Sequence, residues 1–167
     1  MKRRRSWALG AVLLAVAVGL TVPAVVGAGP DSTATVQFGT DQGSSFPPPQ
    51  GHDASSNAKD NLVPRTVVIG EGGNVTFNIF TFAGFHQPMI YEPGTTPDDI
   101  TLQPFPAVPF LNDQDGLLVT GPAVPTGGSQ TWTPPAGTFS EPGRYLLICN
   151  FNPHFQFFNM YGWVQVK

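Results

Sequence analysis

The chain has 167 residues, with 8 basic and 11 acidic side chains, a formal net charge of −3 and a single cysteine. That length suits one domain, and the acidic balance disfavours nucleic acid and anionic membrane surfaces as partners. One cysteine excludes a disulfide framework within the chain.

Lys2 to Arg5 form a basic stretch, Trp7 to Leu20 are apolar and uncharged, and Val26-Gly27-Ala28 offers small residues for cleavage. This order predicts a signal peptide over residues 1–28 and hence export to the periplasm, the extracellular space or the outer membrane face. The arginine run beside Ser6 and Trp7 also resembles a twin-arginine signal, an alternative to the general secretory route. Trp7 to Val26 is close to spanning length, so an uncleaved anchor is a third reading, opposed by Gly19 and Pro23. Without Lys2 to Arg5 the balance is four basic against 11 acidic residues, a net of −7 that favours basic partners. No cysteine lies near the signal, which excludes a lipoprotein.

Residues 29–60 read as an N-terminal segment. Thr33 to Phe38 (TATVQF) is expected to be a first strand, and Asp41 to Lys59, with Pro47-Pro48-Pro49, an exposed loop carrying a solvated His52. A regular domain is expected over 61–167. Leu62 to Ile69 predicts one strand, Gly70-Glu71-Gly72-Gly73 a turn, and Val75 to Phe80 a half-buried return strand. Phe85 to Tyr91 reads as a short strand that begins at His86. Thr96-Pro97-Asp98-Asp99 carries a helix-start signal, so one short helix or turn is expected near 97–102. Gln103 to Phe110, with Pro104, Pro106 and Pro109, reads as irregular cover. Gly116 to Thr120 and Ser129 to Thr133 predict two more strands, and Glu141-Pro142-Gly143 a turn.

Short strands punctuated by 19 Gly and 18 Pro, with no long helical period after the signal, argue an all-β sandwich. Trp132, Trp163 and most of the phenylalanines are expected in its core.

The chemistry concentrates in Tyr145 to Val166, YLLICNFNPHFQFFNMYGWVQV. An apolar strand leads to Cys149, His154 and Met160 follow on a loop, and an alternating strand from Tyr161 leaves it. One thiolate, one imidazole and one thioether suit copper better than other common metals, and a second histidine would complete a His₂Cys plane with a weak axial Met. His86 is the remaining candidate, since His52 sits in the flexible segment. An unpaired cysteine in an exported chain supports the same reading. Met89, just beyond His86, reads as core filler.

These residues resemble the small cupredoxins of the plastocyanin and azurin type. The likeness covers Leu62 to Lys167 and rests on Val75-Thr76-Phe77, Phe85-His86-Gln87, Gly143-Arg144-Tyr145 leading to Cys149, the Cys149-x₄-His154 spacing and Met160-Tyr161-Gly162. The resemblance implies a Greek-key β-sandwich, one copper ion, equatorial His86, Cys149 and His154, and axial Met160. Two departures stand out. Five residues separate His154 from Met160, where the family more often has three or four, which leaves Gln156 or a backbone carbonyl as an alternative axial group. Gln87 follows the first histidine where the family often has Asn or Ser, although its backbone N–H could still donate to the Cys149 sulfur.

The function implied is a one-electron carrier between redox partners, with a copper carrier or storage protein as the alternative. A copper enzyme would need further centres, and His52, His86 and His154 are the whole supply of histidine. The chain is expected to be a monomer that docks redox proteins at an apolar rim near His154, framed by Phe151, Phe155, Phe157 and Phe158. Membrane association is expected only if the N-terminal segment is uncleaved.

Overall fold

The structure, a computed structural model, describes residues 32–39, 62–81 and 84–167. The signal or anchor segment, the 41–59 loop and His52 lie outside the described residues.

Alternation of side chains builds the first sheet. In β4 (Asn74–Phe80), Val75, Phe77 and Ile79 point inward and are buried, while the residues between them are partly or fully exposed. It runs parallel to β1 (Thr33–Phe38), which contributes Val36 and Phe38 to the same side. With β2 (Leu62–Val63) and β7 (Ser129–Trp132) these form a four-stranded sheet in the order β2-β1-β4-β7. The second sheet has five strands in the order β3-β9-β8-β5-β6, with β3 at Thr66–Ile69, β5 at Pro88–Pro93, β6 at Leu117–Thr120, β8 at Gly143–Cys149 and β9 at Tyr161–Val166.

The second sheet is covered on both faces, which explains the unbroken apolar run of β8. Tyr145, Leu147 and Cys149 face the core between the sheets, together with Phe38, Phe77 and Val164. Leu146 and Ile148 point the other way, into a second cluster with Met89, Tyr91, Phe155 and Tyr161. Ile100 and Leu111 close that cluster, so the segment after β5 roofs the outer face of the sheet. A strand buried on both faces reads as continuous rather than alternating sequence.

Four expectations need correction. Leu62 to Ile69 is two strands, not one: β2 pairs with β1, the chain bends at Pro64-Arg65, and β3 pairs with β9 in the other sheet. Pro64 has no N–H for a ladder, so the bend falls where pairing is weakest. Next, β5 begins at Pro88; His86 precedes it in an isolated bridge with Val124. Third, the stretch between Cys149 and Met160, expected as a plain loop, contains a short helix, α1 (Asn152–Gln156), while the short helix or turn expected near 97–102 is present as a 3₁₀ turn at Pro97–Asp99 that follows Thr96. Last, the aromatic core is smaller than composition suggested. Phe38, Phe77, Phe139 and Phe155 are buried, Phe80, Phe105, Phe110 and Phe157 are exposed, and Trp132 and Trp163 only pack against the two clusters. Arg144 lies 3.8 Å over the Trp163 ring, which shields its outer face. Among the described residues no helix is long and apolar enough to cross a membrane.

Candidate metal centre

Three strands and one short helix bring the predicted donors together at one end of the sandwich. Cys149 ends β8, where its N–H donates to the Met160 carbonyl at 3.1 Å and fixes the neck of the loop. Pro88 is its cross-strand neighbour on β5, so His86, two residues earlier, arrives beside it. His86 is itself anchored by two backbone bonds, donating to the Val124 carbonyl at 3.0 Å and accepting from the Val124 N–H at 2.8 Å.

His154 comes from α1. Pro153 sits in the first turn of that helix, where its missing N–H costs nothing. The His154 N–H donates to Phe151 at 2.9 Å, and its carbonyl accepts from Met160 N–H at 2.9 Å. The helix thus winds in the residues that lengthen this loop. Asn159, in the left-handed region at φ 54°, then turns the chain into β9. The Arg65 guanidinium donates to the Asn159 carbonyl and holds that turn from outside. Burial lowers the Arg65 pKa and raises that of Tyr161, whose ring it covers.

The result is a compact triangle. Cys149 Sγ lies 3.6 Å from His86 Nδ1 and 3.8 Å from His154 Nδ1, and the two Nδ1 atoms are 3.1 Å apart. All three residues are buried. A point in their plane equidistant from all three atoms lies about 2.0 Å from each, within the usual range of metal–imidazole and metal–thiolate bonds, about 2.0–2.3 Å. Two imidazole nitrogens and a thiol sulfur converging this closely suit a cation at their common centre. The donor set therefore fits a metal ion, and one soft thiolate with two imidazoles in a triangle is the composition of a blue copper site.

Met160 is buried in the same cluster as Cys149, with its main chain bonded to both Cys149 and His154. Gln156, the alternative, lies on α1 and is half-buried. Met89 belongs to the outer cluster, as core filler should.

Several supporting contacts gave little sign of themselves in the sequence. Gln87 accepts from Asn150 Nδ2 at 2.7 Å, and its carbonyl accepts from Asn150 N–H at 2.8 Å, so the His86 and Cys149 segments are tied by side chain and backbone. Gln87 Nε2 donates onward to the Gly121 carbonyl at 3.1 Å. The longer Gln side chain thus makes a tie between the two segments. Gly39, at φ +84°, packs so tightly that a Cβ would overlap both the His86 ring and the Phe80 carbonyl. Gly84 lies over the outer edge of His154, where a Cβ would come within 3.0 Å of Cε1 and Nε2. Aromatic rings complete the wall: Phe38 meets His86 edge-on at 5.9 Å, and Phe151 and Phe158 flank His154 at 4.7 and 5.7 Å.

No protein-family model matches the chain, and no curated protein does. Solved structures do. Reduced auracyanin from Roseiflexus castenholzii aligns with a TM-score of 0.52 at 18% identity, over 84% of this chain and 99% of that one. Rusticyanin from Thiobacillus ferrooxidans aligns at 0.46 and 17% identity, over 84% and 79%. A purple cupredoxin from Nitrosopumilus maritimus aligns at 0.43 and 19%, over 80% and 99%. Together with the two-sheet topology, the first of these alignments shows the architecture: the chain has a cupredoxin-like β-sandwich.

Proposed function

We propose that this chain is an exported mononuclear type 1 copper protein that carries single electrons between redox partners, with His86, Cys149, His154 and Met160 as the residues that would hold the ion. The observation that carries the reading is the buried Nδ1–Nδ1–Sγ triangle at bonding distance from a common point. When bound there, copper supplies a one-electron couple, the thiolate favouring covalent donation and a thioether favouring the reduced ion.

What the chain's own residues do follows from their supports. The two backbone bonds of His86 to Val124, the strand end at Cys149 and the helix that carries His154 fix the donors. A site held in one arrangement changes little between oxidation states, so little reorganisation opposes electron passage. Burial of all three donors excludes water and exchanging ligands. That burial favours an electron carrier over a copper delivery protein, which needs exposed and labile donors. Three histidines in the whole chain leave no material for a second copper centre, so no enzymatic role is proposed.

The test is optical and paramagnetic-resonance spectroscopy of the purified domain loaded with Cu(II). An intense visible Cys-to-Cu(II) band is expected, lost in Cys149→Ser while the sandwich remains folded by circular dichroism. A colourless protein that surrenders copper to weak chelators would instead establish the delivery or storage role.

A further inference from the structure

We infer that Asn152 is a positioning residue that braces the His154-bearing helix against the proline-rich 103–111 segment, and so holds the imidazole in place whether or not metal is bound. The inference rests on the proposed copper reading for its consequence, but its structural half stands without it.

The need for such a brace begins in the sequence. Pro104, Pro106 and Pro109 supply no N–H groups, so 103–110 cannot build a ladder of its own, and its carbonyls require outside donors. One bond, Val108 N–H to the Pro104 carbonyl at 3.0 Å, curls the segment. Asn152, fully buried at the first position of α1, points its amide there. Its Nδ2 donates to the Gln103 carbonyl at 2.7 Å and the Val108 carbonyl at 3.2 Å, using both amide hydrogens. The backbone repeats the attachment on either side. Asn152 N–H donates to Pro109 at 2.8 Å, Leu111 N–H donates to Asn150 at 2.9 Å, and Phe110 bridges Phe151.

A five-residue helix has no stability of its own. Its position is set by what it is fastened to, and His154 lies two residues beyond the fastening. The far side of the loop is held by Arg65 through Asn159. Asn152 is therefore the side-chain anchor of the helix itself on the near side, beyond the Asn150–Gln87 tie at the loop's start. Loss of its amide takes the side-chain donor from both carbonyls and frees the helix to shift.

The experiment compares Asn152→Ala with Asp113→Asn in the full chain. Asp113 pins the same roof segment near its other attachment, through Thr101 N–H, away from the ligand loop. In the metal-free protein, Asn152→Ala is expected to speed hydrogen exchange of the His154, Phe155 and Met160 amides at least ten-fold, with β8 amides unchanged. In the copper-loaded protein it is expected to shift the visible band and the reduction potential, whereas Asp113→Asn lowers stability and moves neither. Equal acceleration throughout the chain, or a band and potential unchanged in Asn152→Ala, overturns the inference. Should the alanine variant fail to fold, Asn152→Ser carries the same comparison. Loop-specific acceleration in a protein that shows no visible band with Cu(II) supports the brace and overturns the copper reading instead.

Discussion

Gly39 shows how little room the site leaves at the level of one atom. Its backbone is at φ +84°, open to glycine at no cost, and the space for a Cβ is already filled by the His86 ring and the Phe80 carbonyl. Gly39→Ala must therefore both strain the backbone and push His86 from the triangle. We expect a loss of about 1–3 kcal/mol in thermal or denaturant unfolding of the metal-free protein, and weaker copper retention in a chelator competition. A variant that unfolds and binds copper like the parent would show that the His86 contact is slack. Met160 poses a different question, since its main chain is fixed on both sides while its side chain lies in the core beside Cys149. Met160→Leu is expected to keep the colour and raise the reduction potential, because an apolar group replaces a weak axial donor. An unchanged potential would place the axial role elsewhere.

At the scale of elements, the roof over the second sheet depends on Asp113. Its carboxylate accepts from Thr101 N–H at 2.5 Å and from Asp115 N–H at 2.9 Å. Burial pushes its pKa up, but these donors outweigh burial and hold it below the usual carboxylate value. A depressed pKa in the folded state contributes stability that is present above the ordinary carboxylate range, about pH 4, and is lost as pH falls through the folded value. Asp113→Asn is thus expected to cost about 1–2 kcal/mol at neutral pH and to flatten the fall in stability on acidification, measured by denaturant midpoints between pH 7 and 3. An acid profile identical to the parent's would remove Asp113 as its source. The roof also marks the limit of what sequence discloses. The strands at Thr33–Phe38, Val75–Phe80 and Tyr161–Val166 announce themselves by alternation, and Cys149 and His154 lie close enough in the chain for their meeting to be read. Helix α1 does not, because five residues give no period and Pro153 reads as a breaker although it sits in a first turn. The break at Pro64 is carried by one residue, while Leu62-Val63 before it and Val67 to Ile69 after it together read as one strand. Asn152 was unreadable for another reason: its partners are carbonyls of an irregular segment, set by the fold and not by residue type.

For the molecule as a whole, charge and apolar surface suggest how a partner would approach. His154 is only 3% exposed, so its imidazole is not itself a broad contact surface. Rings extend outward from it, Phe151 at 4.7 Å and then Phe110 at 5.9 Å from Phe151, and Phe110 reaches the surface. Phe157 is 42% exposed and stands 6.1 Å from the exposed Phe105 ring. Phe155, by contrast, is buried beneath the sheet and cannot form a rim. A small apolar patch of this kind suits a weak, fast-dissociating redox partner. The net charge of −3, or −7 without the basic N-terminus, would attract a basic partner to the molecule. Adding charge to the patch has two opposed effects: a glutamate at Phe157 removes apolar contact but strengthens attraction to a basic partner. High ionic strength screens the second effect and leaves the first. Phe157→Glu and Phe110→Glu, made separately and measured by stopped-flow electron exchange at high salt, are expected to slow exchange several-fold with the visible spectrum unchanged. Phe155→Glu should instead destabilise the fold, because it buries a carboxylate in the outer cluster. If neither surface variant slows exchange while charge reversal at the exposed Asp115 does, the partner docks on the acidic edge and the aromatic rim is only packing.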